Sequence, residues 1–323
     1  MAADIIQVNH DLLGKGQEKE KEKEKKKKKK RSEIGKMEFI LGLTFFYSFG
    51  NEMENLTEQR IMVLCDFSES MNDAIAHGVQ MSNIFRKELC LFHPLQNKGK
   101  AEKLAAQKAL SEIIHLLKKD LPDIPISSLT LKGELTGCID RIAEQYDGIM
   151  LVLTSEKVKT KLPALQISQI PFLFVNGHQP ESLRYKNVLL PVDFRKVMKD
   201  TSLWASYFAR FNKADVTIFP ATEKNKENAT MIRKNVKFIK HLLANLKLGF
   251  QIKNSSKGSF GLPFDALQRC HDKQHDLLIM PSSKNISLID LIIGLPEAKI
   301  IKKANHLPVL CINPKRDMYI LCD

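Results

Sequence analysis

Two aspartates stand where chemistry is possible. Arg60–Ser68 reads RIMVLCDFS and Lys186–Arg195 reads KNVLLPVDFR, so Asp66 and Asp193 each close a short apolar run and precede a phenylalanine. A carboxylate there can accept a hydrogen bond from a ligand's amino group or hydroxyl. Equally, it can cap a helix N-terminus or brace its own loop. A second group follows a later apolar run: Ser283, Lys284 and, further on, Gly294. Hydroxyls and one cation can bind an anion, although a glycine-poor loop cannot readily present a nest of backbone amides. His271 and His275 are four apart beside Cys270 and Asp272. That spacing allows a zinc site or ordinary helix-end histidines. His93 ends another apolar run, close to any cleft formed there. No Walker motif, no GxGxxG after a first strand and no nucleophile elbow is present, so no base, nucleophile and oxyanion donor converge by sequence.

The elements that must position these residues occur twice. Asp66 and Asp193 lie 127 residues apart, a domain-sized interval, too long for a solenoid repeat. In the first copy, apolar strands are expected at Arg60–Cys65, Glu88–Pro94, about Pro125–Lys132, Gly148–Thr154 and Pro171–Asn176. Helices are expected at about Met71–Phe85, with Ser68 or Ser70 as its cap, at Lys98–Lys119 and at Cys138–Gln145. In the second copy, strands are expected at Val188–Val192, Asp215–Phe219, Phe250–Asn254, Asp276–Met280 and Pro308–Asn313. The helices fall at about Met198–Phe211, Lys224–Leu246, Phe264–Lys273 and Glu297–Lys303. Short apolar strands alternating with helices predict an α/β fold: two tandem, open, Rossmann-like parallel sheets, each covered on both faces. Ligands of such sheets bind beyond the carboxyl ends of the strands, where strand order reverses. The expected boundaries are a basic extension over 1–56, a first domain over 57–177, a linker over 178–186 and a second domain over 187–323. Pairing of Pro171–Asn176 with Pro308–Asn313 would cover two sheet edges.

Composition narrows the functional classes. The chain has 323 residues, 43% hydrophobic, with a formal charge of +13. Residues 1–36 supply +5 of that charge, and the remainder is too dispersed to make a nucleic-acid face. Lys15–Arg31 (KGQEKEKEKEKKKKKKR) is low complexity, with nothing to bury. Phe39–Phe49 is apolar but too short to span a bilayer, and Met37 or Met53 are alternative starts for the globular part. A membrane role is not expected. Six scattered cysteines without a CxxC pair suit a reducing, cytoplasmic setting better than a disulfide framework.

With these motifs in place, the chain resembles the universal stress proteins in tandem form, over roughly residues 58–177 and 186–315. Val63–Ser70 (VLCDFSES) is similar to the family's opening strand and DFSE turn, and Leu189–Phe194 (LLPVDF) matches it again with the customary proline. The strand Asp276–Met280, the turn at Gly294, Lys302 and Lys303, and Leu307–Ile312 (LPVLCI) follow the family's closing rhythm. ATP-binding members carry Gly, two residues, Gly, nine residues, Gly, then Ser or Thr. Laid on the second copy, the first two glycines fall at Pro281 and Lys284, or at Lys284 and Ser287. Gly294 takes the last glycine's place, and Leu295 replaces the hydroxyl residue. The first copy has no such loop.

The resemblance implies that Asp66 and Asp193 keep the base-side position while the phosphate side is eroded in both copies. It further implies a non-catalytic, cytoplasmic stress-response protein that binds a protein partner or senses a small ligand. No cofactor is expected, the two copies should pair as an internal pseudo-dimer, and a homodimer is possible. The alternative is adenine-nucleotide binding in the second domain through Asp193, Ser283, Lys284 and Gly294, with slow ATPase activity. A polyanion-binding role for the basic tail is a third reading.

Overall fold

The computed structural model describes residues 59–96, 99–273, 275–282 and 296–313. The lysine-rich extension, Phe39–Phe49, Ser283, Lys284 and Gly294 lie outside the described residues.

Five strands and four helices alternate through the first half: β1 (Arg60–Leu64), α1 (Met71–Phe85), β2 (Glu88–Leu95), α2 (Lys100–Asp120), β3 (Ile126–Lys132), α3 (Leu135–Glu144), β4 (Gly148–Thr154), α4 (Val158–Ile167) and β5 (Phe172–Val175). The second half follows the same rhythm: β6 (Asn187–Val192), α5 (Met198–Asn212), β7 (Asp215–Pro220), α6 (Lys226–Asn245), β8 (Phe250–Ile252), α7 (Leu262–Lys273), β9 (Leu277–Pro281), α8 (Pro296–Lys303) and β10 (Val309–Ile312). All ten strands lie in one sheet, in the order β3-β2-β1-β4-β5-β10-β9-β6-β7-β8. Every neighbouring pair is parallel except β5 and β10, which run antiparallel with Leu310 opposite Leu173. Read outward from that central pair, strand order is the same on both sides.

The two expected parallel sheets are present, and the expected pairing of their last strands, β5 and β10, joins them into one mixed sheet. β5 and β10 would each be an edge strand alone; among the described residues their pairing leaves β3 and β8 as the edges. Strands buried on both faces explain the continuous apolar runs, such as β4 (GIMLVLT), whose seven residues are all buried.

Two details depart from expectation. Ser70 occupies the N-cap position of α1 but makes no side-chain capping bond, because the hydroxyl network there runs through Asp66 and Ser68. The segment between β4 and β5 holds a helix, α4, despite Pro163 inside it. Val158, Leu162 and Leu165 are buried on one face of α4, and that burial outweighs the backbone bond that Pro163 removes.

The halves are joined across one sheet face by aromatic packing. Phe85 of α1 meets Trp204 and Phe208 of α5 edge-on, with ring centroids at 5.9 and 5.2 Å. Close approach of α1 to the sheet requires Gly78. A Cβ there would stand 2.2 Å from Val63 Cγ2 and 3.2 Å from Leu89 Cδ1. Val63 is β-branched and stiff, so it cannot swing aside. Replacing Gly in a helix with Ala ordinarily stabilises by about 1 kcal/mol, but here overpacking wins. We expect Gly78→Ala to lower stability by about 1–2 kcal/mol, read from the urea midpoint, and Val63→Ala in that background to restore part of it.

Candidate functional site

Strand order reverses on either side of β1, which lies between β2 and β4, and again at β6, between β7 and β9. Asp66 and Asp193 sit just past β1 and β6, at the two crevices this creates. Both begin the same local structure. Asp66 Oδ1 accepts from the Ser68 amide at 3.1 Å, and Asp193 Oδ1 accepts from the Arg195 amide at 2.7 Å. These are Asx turns, in which the carboxylate stands in for a backbone carbonyl two residues back.

What occupies the third position of the turn decides the rest. In the first half it is Ser68, whose hydroxyl also donates to Asp66 at 2.6 Å and lies 3.2 Å from the Ser70 hydroxyl. Phe67 between them adopts φ 56°, a left-handed conformation that bulky residues avoid. Its exposed ring lies 4.7 Å from the His93 ring. His93 Nδ1 donates to the Cys65 carbonyl at 2.6 Å. Since a carbonyl can only accept, that bond places a proton on Nδ1.

The first crevice also holds a residue that the sequence did not single out. Lys161 of α4 is only 6% exposed. Its ammonium donates to the Thr154 carbonyl at 2.8 Å and the Thr154 hydroxyl at 2.9 Å, with Asp66 Oδ2 at 4.0 Å. Burial holds its pKa below the ordinary lysine value, against the opposing pull of Asp66 and Glu156. The signal was present only as a lysine on the apolar face of an unrecognised helix.

In the second half, position three is Arg195. Its Nε lies 2.7 Å and its Nη2 2.6 Å from Asp193 Oδ2, so two guanidinium N–H groups converge on one carboxylate oxygen in a charge-assisted pair. Asp193 is 3% exposed. Asn235 of α6 closes the turn from behind, donating to the Asp193 carbonyl at 2.8 Å and the Arg195 carbonyl at 3.0 Å. Both oxygens of the Asp193 carboxylate are therefore engaged by its own chain. The structure does not bring Asp66 and Asp193 into one site; each belongs to its own crevice.

The histidine pair is not assembled as a metal site. His275 Nε2 faces the Thr217 hydroxyl at 3.2 Å, Cys270 is buried, and His271 is exposed. Among the described residues no three His, Cys, Asp or Glu side chains converge, and no helix is long and apolar enough to cross a membrane.

No family model matches this sequence, and no curated relative does. Solved structures do. A universal stress protein from Archaeoglobus fulgidus DSM 4304 superposes with a TM-score of 0.62 at 12% identity, over 80% of this chain and 99% of that one. A functionally unknown protein from Pseudomonas aeruginosa PAO1 gives 0.52 at 13%, over 79% and 92%. At such identities the likeness concerns backbone architecture, and the chain has the Rossmann-like α/β fold seen in universal stress proteins.

Proposed function

We propose that this chain is a non-catalytic, cytoplasmic stress-response protein of universal-stress type, working by partner binding or ligand sensing. Its two halves act as an internal pseudo-dimer of tandem domains joined along β5 and β10. The observation that carries this reading is the closure of the buried Asp193 carboxylate by the chain's own Arg195, while Asp66 stays exposed with one oxygen taken by Ser68. Asp193 is closed by Arg195, and Asp66 is braced by Ser68 with Lys161 beside it. A nucleotide base seeking a carboxylate acceptor would have to displace the Arg195 guanidinium in the second crevice. In the first, the ammonium of Lys161 already satisfies the carbonyl and hydroxyl at the end of β4. A fold so similar to a universal stress protein, with no acid, base and nucleophile converging among the described residues, favours sensing or docking over turnover. Buried strand thiols such as Cys65 and Cys311 pack as small hydrophobes, which suits a reducing compartment.

Native mass spectrometry of the full chain with ATP or AMP and Mg²⁺ tests the proposal. We expect no specific adduct at millimolar nucleotide. One nucleotide per chain, lost on Asp193→Ala and retained on Asp66→Ala, would overturn it. The second domain's adenine-nucleotide site, with Ser283, Lys284 and Gly294, would take its place.

A further inference from the structure

α6 and β8 leave a groove between them whose lining includes neither strand-end aspartate. Its counterpart edge strand, β3, runs for seven residues, whereas β8 stops after three. Helix α6 therefore overhangs a sheet edge too short to cover its flank. The resulting cavity of about 720 Å³ is lined by Ile232 and Val236 of α6, Phe250 and Ile252 of β8, and the Pro220–Ala221 corner after β7. That volume lies in the range of small-molecule sites. Lining residues run along α6 from Ala229 to Ala244, about 22 Å of helix, so the groove is long rather than round.

One wall is cationic. Arg233, Lys237 and Lys240 line it at i, i+4 and i+7 spacing, with His241 beside them, and so share one face of α6. Arg233 donates to the neutral Thr230 hydroxyl at 2.8 Å. Among the described residues no carboxylate pairs with Lys237 or Lys240. The one acid in the lining, Glu223, accepts from the Ser259 amide at 2.7 Å, and this bond holds its carboxyl below the usual range. The floor is hydrocarbon with a single aromatic ring, which suits an alkyl chain better than a polar heterocycle. The wall needs an anion.

We infer that this groove binds a single-chain anionic amphiphile of the long-chain carboxylate class, its alkyl chain along Val236, Phe250 and Ile252 and its carboxylate on Lys237 and Lys240. The site supplies a ligand class for a sensing role and does not depend on whether nucleotide binds elsewhere.

The test is isothermal titration of the full chain with palmitate and with hexadecanol, each kept monomeric. Palmitate should bind saturably, one per chain, and hexadecanol about tenfold more weakly for want of the charge. Lys237→Glu/Lys240→Glu is an exposed double substitution that leaves the core intact. It should weaken palmitate by about tenfold or more while leaving the melting temperature near that of the parent. Val236→Trp, which narrows the groove where the alkyl chain would run, should weaken palmitate by about tenfold or more. No saturable palmitate binding, equal affinity for hexadecanol, or binding indifferent to both variants would each overturn the assignment. So would equal binding of a glutamate-rich peptide carrying no alkyl chain.

Discussion

Acidification from pH 6.5 to 4 should remove about 3 kcal/mol of stability through one residue, His77. Its imidazole is fully buried between α1 and the segment joining the two halves. Nε2 lies 2.8 Å from the Gly177 carbonyl, which can only accept, so Nε2 carries the proton. Nδ1 must then accept from the Tyr185 hydroxyl at 2.5 Å. Burial pushes the His77 pKa down to about 4, against the opposing pulls of the Gly177 carbonyl and Asp73.

The sign follows directly. Between 4 and the ordinary value of 6.5 the unfolded chain binds a proton that the folded chain refuses. Stability is therefore full above 6.5 and drains as pH falls towards 4. Neighbouring groups act in other windows. Asp73 accepts from the Gly177 amide at 2.8 Å and pairs with His178. Its pKa is lowered by those bonds in spite of burial, so its contribution is lost only at more acid pH. Asp276, which bears on Tyr185 electrostatically, has its pKa raised by burial and opposes the trend near the carboxylate range.

Urea midpoints measured across this range should therefore slope for the parent and flatten for His77→Gln, whose amide can donate to Gly177 and accept from Tyr185 without titrating. Tyr185→Phe, which orphans Nδ1, should lose about 1–3 kcal/mol at neutral pH. An unchanged slope in His77→Gln would assign the acid loss to carboxylates instead.

How much of this was legible depends on the range of the interaction. Helix α1 was readable to its ends, because Ala74, Ile75, Gly78 and Met81 mark one face at helical spacing and all are buried. The strand-end aspartates were readable as positions, since an apolar run closed by Asp-Phe recurs. Their partners were not. Residues at i and i+2 meet only because the chain turns at Phe67 and Phe194, and the difference between DFS and DFR becomes chemical only when the turn is in place. Helix α4 was hidden by Pro163, and Lys161 with it, because local propensity lost to burial of Val158, Leu162 and Leu165. The α6 groove was the least accessible, since it arises from β8 ending early against a helix of full length. The residues expected to hold phosphate, Ser283, Lys284 and Gly294, lie outside the described structure and stand as they did.

Removing Arg195 should be among the most damaging single surface-side changes in the chain. Arg195→Ala would strip the Asp193 carboxylate, 3% exposed in the parent, of its counter-ion and leave the residue-195 amide as its main remaining partner. A buried charge stripped of its counter-ion loses stability by about 3–5 kcal/mol. The Arg195 side chain is 38% exposed, so water reaching the vacated position should bring the loss nearer about 2–3 kcal/mol. Neutralising the survivor separates charge from packing. Asp193→Asn/Arg195→Ala should recover part of the loss, since an amide can still accept from the Arg195 amide without the desolvation cost of a charge. The two single changes should then be strongly non-additive. The same variant probes the proposed function. If Arg195 is what closes the second crevice, its removal should expose Asp193 without creating a nucleotide site, because a carboxylate alone supplies no phosphate contacts. Adenine nucleotide binding gained on Arg195→Ala would mean that the phosphate side is intact and that the arginine is a gate over a working site.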